Sequence, residues 1–237
     1  MAEMADPARL NPRSAYRRPA ALTLFLAVSV GVLAADLAGK HLAFKHVAGR
    51  PIVLTPQNVA DKTAIPEHGA IDLIPSVLSL RLTTNEGAIF GIGQGKTGLF
   101  VAVSVLAVGV IGYVFAKSDA RAHVQHLCLA LILAGALGNL YDRTMFGVVR
   151  DMLWLFPGVH LPWGWRWPAG LAEWAPWVDN SGPTDLYPWI FNIADVALVV
   201  GVILMIILMW RAPKAQASPA EPAAAGTREP ERRTRPD

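Results

Sequence analysis

The chain has 237 residues, 53% of them hydrophobic and 16% charged, with a formal net charge of +3. Its single cysteine, Cys128, excludes an internal disulfide or a cysteine metal cluster and leaves that side chain a packing role. The positive balance does not describe a nucleic-acid surface, because the basic residues gather near the ends of apolar blocks, where they set membrane orientation.

Those blocks approach the 20 or so residues that cross a bilayer, and a helix is the form that satisfies its own backbone in lipid. Residues 1–18 form a polar amino-terminal arm carrying Arg9, Arg13, Arg17 and Arg18. The uncharged stretch 19–35 follows. With its basic lead-in and the small residues of "VLAAD" it also has the form of a cleaved signal peptide. Asp36 and Lys40 then fall one helical turn apart, a spacing that suits an ion pair on a continuing helix and favours a retained span over about 19–45. The loop of about 46–96 contains "RPIVLT" and "VLSLRLTTN", β-branched and alternating runs that read as strands of a small sheet against the membrane.

Further spans are expected over about 97–116 and 122–141, both free of Asp, Glu, Lys and Arg. In the second of these, "LAGALGN" spaces Ala134 and Gly138 four apart, which lets a neighbouring helix approach closely. Residues 142–188 carry Trp154, Trp163, Trp165, Trp167, Trp174 and Trp177 among prolines, and Trp189 follows directly. Tryptophan favours the bilayer interface, so this segment reads as an interfacial loop, with the Trp-rich part over about 154–188, and not as a fifth span. A last helix is expected over about 189–211, and residues 186–210 contain one charge, Asp195. The Pro/Ala-rich tail 212–237 is expected to be disordered. Four spans put the arm, Lys117 and Arg121 of the short turn, and Arg211 and Lys214 on one side, expected to be the cytoplasm, although Lys45, Arg50, Lys62, Arg81 and Lys96 lie opposite.

Polar residues able to do chemistry sit at the other ends of the spans. "TTNEGAIFGIG" supplies Asn85, Glu86 and Gly87, with Gly91 and Gly93 for tight turns. "GALGNLYDR" supplies Asn139, Asp142 and Arg143, "VVRDML" supplies Asp151, and "FNIAD" supplies Asn192, Ala194 and Asp195. Helical periodicity puts Asn139 with Arg143, and Asn192 with Asp195, on common faces. Asp151 and Asp195 are then able to meet between the last two helices, where two close carboxylates share one proton and act together as acid and base, as in aspartic proteases. Each residue also has a structural reading. Asp195 would cap the last helix, Asp151 would be an exposed loop acid beside Arg150, Asp36 with Lys40 would be a self-neutralising pair, and Asn139 would be interhelical glue. There is no HExxH or GxSxG motif, and "GIGQGKTG" lacks the spacing of a phosphate-cradling loop.

Taken in order, "DLAGK", "TNEGAIFG", "GALGNLYDR", "VVRDML" and "FNIAD" resemble the lipoprotein signal peptidases (signal peptidase II) over most of residues 30–205. The resemblance implies an all-α membrane fold of four transmembrane helices with a small extracytoplasmic β-cradle and an interfacial loop insertion. It implies a bacterial inner-membrane aspartyl endopeptidase, without a cofactor, that cleaves diacylglyceryl-modified prolipoproteins before the lipidated cysteine. Its partners would be these substrates and membrane lipids, not nucleic acid, and it would act as a monomer with both termini cytoplasmic and the site near the outer face. Carried over by motif, Asp151 and Asp195 are the catalytic pair. Asn85, Gly87, Asn139, Arg143, Asn192 and Ala194 fall on substrate-contact or active-site positions, and Asp36, Lys40 and Asp142 on supporting ones. The interval from Asp151 to Asp195 is longer than is usual for that family, and the first outer loop is extended. A proton-relay transporter built on Asp36, Lys40, Asp142, Asp151 and Asp195 is the main competing reading, but the centres of the second and last spans are plain aliphatic. A non-catalytic scaffold that uses the Trp-rich loop to bind partners is the third.

Overall fold

The structure is a computed structural model, and it describes residues 14–87, 97–168 and 184–211. The arm before Ser14, the glycines Gly91 and Gly93, the central part of the Trp-rich segment with Trp174 and Trp177, and the tail lie outside the described residues.

Among the described residues, four helices are long and apolar enough to cross a membrane. They are α1 (Pro19–His46), α3 (Thr97–Lys117), α4 (His123–Phe146) and α5 (Ile193–Arg211). Pro19 opens α1 at a position where no backbone N–H is required. Gly147, at φ 77°, closes α4 in the left-handed conformation and returns its N–H to the Arg143 carbonyl. The helix α4 therefore runs one turn further than its uncharged block, carrying Asp142 and Arg143 on regular helix. The lateral surface is apolar: Leu106 on α3 and Met209 on α5 are both 68% exposed, while α3 buries only Ile111 and Phe115. Such a surface suits lipid as its solvent.

The sheet at one end of the bundle runs β1 (Ile71–Ile74), β2 (Leu78–Asn85), β3 (Val149–Leu155) and β4 (Ile190–Phe191), antiparallel throughout and in that order. "VLSLRLTTN" thus supplies a strand, but "RPIVLT" does not. Pro51 within it and Pro56 directly after it interrupt the run, and Thr55 instead starts the short helix α2 (Pro56–Ala60) through a reciprocal capping box with Asn58. The two strands that complete the sheet come from the later loop. Leu153 pairs with Phe191 and Trp154 with Ile190, so residues 190–191 form a strand and α5 begins only at Ile193.

The Trp-rich segment leaves and re-enters the sheet through stitched ends. His160 and Asp185 form an ion pair at 3.3 Å, and Leu161 N–H donates to the Thr184 carbonyl at 2.8 Å. Trp154 and Trp167 each donate an indole N–H to a main-chain carbonyl of the returning segment, Tyr187 and Asp185 respectively. Trp163 and Trp165 are exposed.

Helix α4 is the packing centre. An added Cβ on Gly135 would lie 2.9 Å from Leu198 Cβ and closer still to the Ala194 carbonyl oxygen, and one on Gly201 would lie 3.0 Å from the Cys128 carbonyl oxygen. Glycine on both helices is what brings α5 against α4. At the end away from the sheet, Phe25 and Phe115 stack at 4.1 Å over Ala21, Leu129 and Ala130, and Ala15 N–H bonds the Ser118 carbonyl. Under the sheet, Ala43, Phe44, Val47, Leu82 and Met152 form a second cluster. Gly135→Ala should lower the thermal midpoint in detergent, with a cost of about 1–3 kcal/mol for overpacking. Gly109→Ala on α3, where nothing lies within 4 Å, should not lower it.

Candidate active site

Near the sheet end of the bundle, a chain of buried polar groups crosses from α1 to α5. Lys40 on α1 has no exposed surface, and its ammonium pairs with Asp36 at 2.8 Å and with Asp142 at 3.1 Å. It also donates to Asn139 Oδ1 at 3.3 Å. Asp142 in turn accepts from the Arg150 guanidinium at 2.7 and 3.1 Å and from the Arg150 backbone N–H at 3.0 Å. Two carboxylates and two cations therefore neutralise one another where an unpaired charge would be costly. Asp36 also reaches α5, where its Oδ1 accepts from the Ala194 N–H at 2.9 Å. Gly138 makes room for this contact, because a Cβ there would lie 2.5 Å from Asp36 Oδ2.

Arg150 is the residue that motif reading misplaces. It pairs with Asp142, not with its neighbour Asp151, and it is buried. Alternation along β3 sends adjacent side chains to opposite faces, which separates the two.

Asp151, 1% exposed, accepts from Asn192 Nδ2 at 2.6 Å through Oδ1. Asp195 Oδ1 accepts from Asn139 Nδ2 at 2.7 Å. Its Oδ2 accepts from the Asn192 N–H at 3.3 Å, and Asn192 Oδ1 accepts the Asp195 N–H at 2.9 Å. Asn192 is thus the N-cap of α5, with Asp195 as its reciprocal partner, so Asp195 does serve the helix start. Asn192 Nδ2 also contacts Asn139 Oδ1 at 3.2 Å. One asparagine therefore touches both carboxylates and the asparagine beside them.

Burial first, and then the charge of Asp195, push the Asp151 carboxyl well above the usual carboxylate range. Hydrogen bonds from Asn192 and Asn85 and the charge of Lys40 oppose this without cancelling it. Tyr187, in the returning end of the Trp-rich segment, feels the same pair. Its phenol is pushed up by burial and then by Asp195 and Asp151. Its ring meets Trp189 and Phe191 edge-on at 5.3 and 5.9 Å. No motif singled out Tyr187; its position after the re-entry of the loop beside β4 is a property of the fold.

Arg143 shares the helical face of Asn139, yet its guanidinium donates to the Gly87 carbonyl at 2.6 Å and lies 5.1 Å from the Phe100 ring centroid. Gly87 N–H bonds Asn85 Oδ1 at 2.8 Å. Arg143, Gly87 and Asn85 thus join the end of β2 to α4 beside the carboxylates.

The family model of signal peptidase (SPase) II matches residues 28–211, from within α1 to the last residue of α5. The chain belongs to the signal peptidase II family. It is 31% identical over 195 residues to the lipoprotein signal peptidase of Sulfurihydrogenibium sp., covering 79% of this chain and 92% of that relative. It is 35% identical over 164 residues to that of Streptococcus pyogenes serotype M6, covering 68% and 90%. Among solved structures, a bacterial membrane enzyme determined by the in meso method superposes with a TM-score of 0.53 at 25% identity, covering 80% of this chain and 88% of that one. As a signal peptidase II the chain is a multi-pass membrane aspartic endopeptidase that removes signal peptides from lipoproteins.

Two outcomes follow from the electrostatics. Lys40→Met leaves buried carboxylates short of a cation and should destabilise the fold by roughly 3–5 kcal/mol, read as lost folded protein and a lower thermal midpoint in detergent. Because the folded chain binds the Asp151 proton more tightly than the unfolded chain does, this residue lowers stability as pH rises from 3.8, its ordinary value, towards the raised one. Asp151→Asn should therefore flatten the fall of the thermal midpoint with pH over that window.

Proposed function

We propose that Asp151 and Asp195 are the catalytic pair of this signal peptidase II and that they cleave diacylglyceryl-modified prolipoproteins immediately before the lipidated cysteine. The observation that carries this reading is the shared asparagine, with Asn192 bonded to Asp151 through its side chain and to Asp195 through its backbone. Two carboxylates held this way in a buried site hold one proton between them.

Asp151 suits the protonated role, since burial disfavours its charge. Asp195 suits the ionised role, since it accepts N–H groups from Asn139 and Asn192 at a helix N-terminus. Asp195 takes a proton from water, the resulting hydroxide attacks the scissile carbonyl carbon, and Asp151 gives its proton to the carbonyl oxygen. On collapse of the tetrahedral intermediate the C–N bond breaks and Asp195 passes its proton to the departing amine. The proton that Asp151 gave to the carbonyl oxygen returns to Asp151 as the C=O re-forms. One water is consumed and the pair is regenerated. Asn139 and Asn192 hold the carboxylates in register, and Arg143 fixes the Gly87 end of β2 beside them.

The substrate enters sideways through lipid as a monomeric enzyme meets a membrane-anchored precursor. The apolar lateral surface supports this route. Arg17, Arg18, Lys117, Arg121 and Arg211 at the end away from the sheet support cytoplasmic termini and an outward-facing site.

Asp151→Asn and Asp195→Asn should each reduce cleavage of a diacylated precursor by roughly 10³–10⁴-fold in a gel-shift assay, because members of such a unit do not substitute for one another. Both variants should remain folded in the membrane. Full activity in either one overturns the assignment.

A further inference from the structure

The strand β2 pairs with β3 over Leu78–Leu80 and Thr83–Asn85, with a register shift between, but β1 pairs with its other side only as far as Leu80. Beyond that point no described strand pairs with its outer edge. The Leu82 N–H, directed away from β3, donates to His68 Nε2 at 3.0 Å, and His68 Nδ1 lies 2.9 Å from the Pro66 carbonyl oxygen. Regular alternation from Leu82 to Thr84 would turn the N–H and C=O of Thr84 the same way. Between this edge and the segment 59–68 lies a groove of about 600 Å³.

The lining of the groove is polar and of mixed charge. Lys62 and Arg81 stand with Glu67 and Glu86, and Asn85 closes one end. Asn85 is also one of the groups acting on the Asp151 carboxyl. Asn85 is thus common to the groove and to the surroundings of Asp151, while the groove is lined by residues outside the four spanning helices. An apolar signal helix or an acyl chain gains nothing from such walls. A polar peptide with free main-chain groups does.

We infer that this groove binds the mature segment of the lipoprotein substrate, downstream of the cleaved bond, as an extended strand added to the free edge of β2 at Thr84. The inference rests on the peptidase reading above. Strands lie about 4.8 Å apart and rise about 3.3 Å per residue, so a strand two spacings from β3 is reached by roughly three residues beyond the cut. Residues about three to six after the cleavage site then pair with β2. Main-chain hydrogen bonds supply the affinity and leave the sequence of the mature segment free to vary.

The test uses diacylated precursor peptides that are identical through the cysteine and carry either two or eight mature residues, assayed with the full chain in detergent. Shortening should raise KM roughly tenfold with little change in kcat, the size expected for losing one or two hydrogen bonds. N-methylation of successive amides in the longer peptide should raise KM at alternate positions only. Thr84→Pro should raise KM for the long peptide towards that of the short one. Its unchanged turnover of the short peptide reports an intact fold, and should that turnover also fall, the N-methylated series decides alone. Equal KM for both lengths, or N-methylation without alternation, overturns the groove while leaving the peptidase reading in place. Failure of the wild-type chain to cleave even the long peptide overturns both.

Discussion

The ammonium of Lys40 is the point to which the rest of the site is tied. A cation with no exposed surface in an apolar bundle must be surrounded by partners, and each partner it has chosen leads to a different element. Asp36 continues to the first turn of α5, Asp142 to Arg150 and the start of β3, and Asn139 to Asp195. The charges that make the bundle costly to build are the same ones that set the relative positions of α1, α4, β3 and α5. Their confinement to one end, with largely aliphatic helices beyond, gives a buried site at one face.

From that frame, the small sheet acts as a positioning device. The β4 pairing with β3 ends one residue before Asn192, so the helix cap of α5 is delivered next to Asp151 by strand register. Asn192 then serves at once as cap, bridge and electrostatic partner. The cap role and the proposed catalytic role of Asp195 are compatible, because the backbone N–H that it caps belongs to the residue that also holds its partner. The Trp-rich segment leaves this arrangement intact. Its described ends are joined to one another by His160–Asp185 and by main-chain bonds, and Tyr187 packs on Trp189 ahead of β4.

Much of this was legible in the linear chain. Uninterrupted apolar blocks read as spanning helices because lipid offers no partner to an unpaired backbone group. The Asp36–Lys40 spacing read as an ion pair because it falls within one helical turn. The five motifs placed Asn139, Asp142, Asn192 and Asp195 near membrane ends, and family resemblance supplied the pairing of Asp151 with Asp195. What misled was local: "RPIVLT" carries strand-forming residues, but its prolines and the Thr55 cap decide otherwise. Arg150 looked like a partner for the residue beside it.

The sequence by itself determined that this is a four-helix membrane chain with carboxylates and amides at the ends of its helices, because periodicity and hydropathy are properties of neighbouring residues. Only the tertiary structure decided which of those groups touch. Arg150 reaches Asp142, Arg143 reaches Gly87, and Asn192 joins two acids 44 positions apart in the chain, all through strand register and glycine-mediated helix approach. Those contacts depend on β4 pairing with β3 and on α5 lying against Gly135 and Gly138, relations between distant segments that no local pattern encodes.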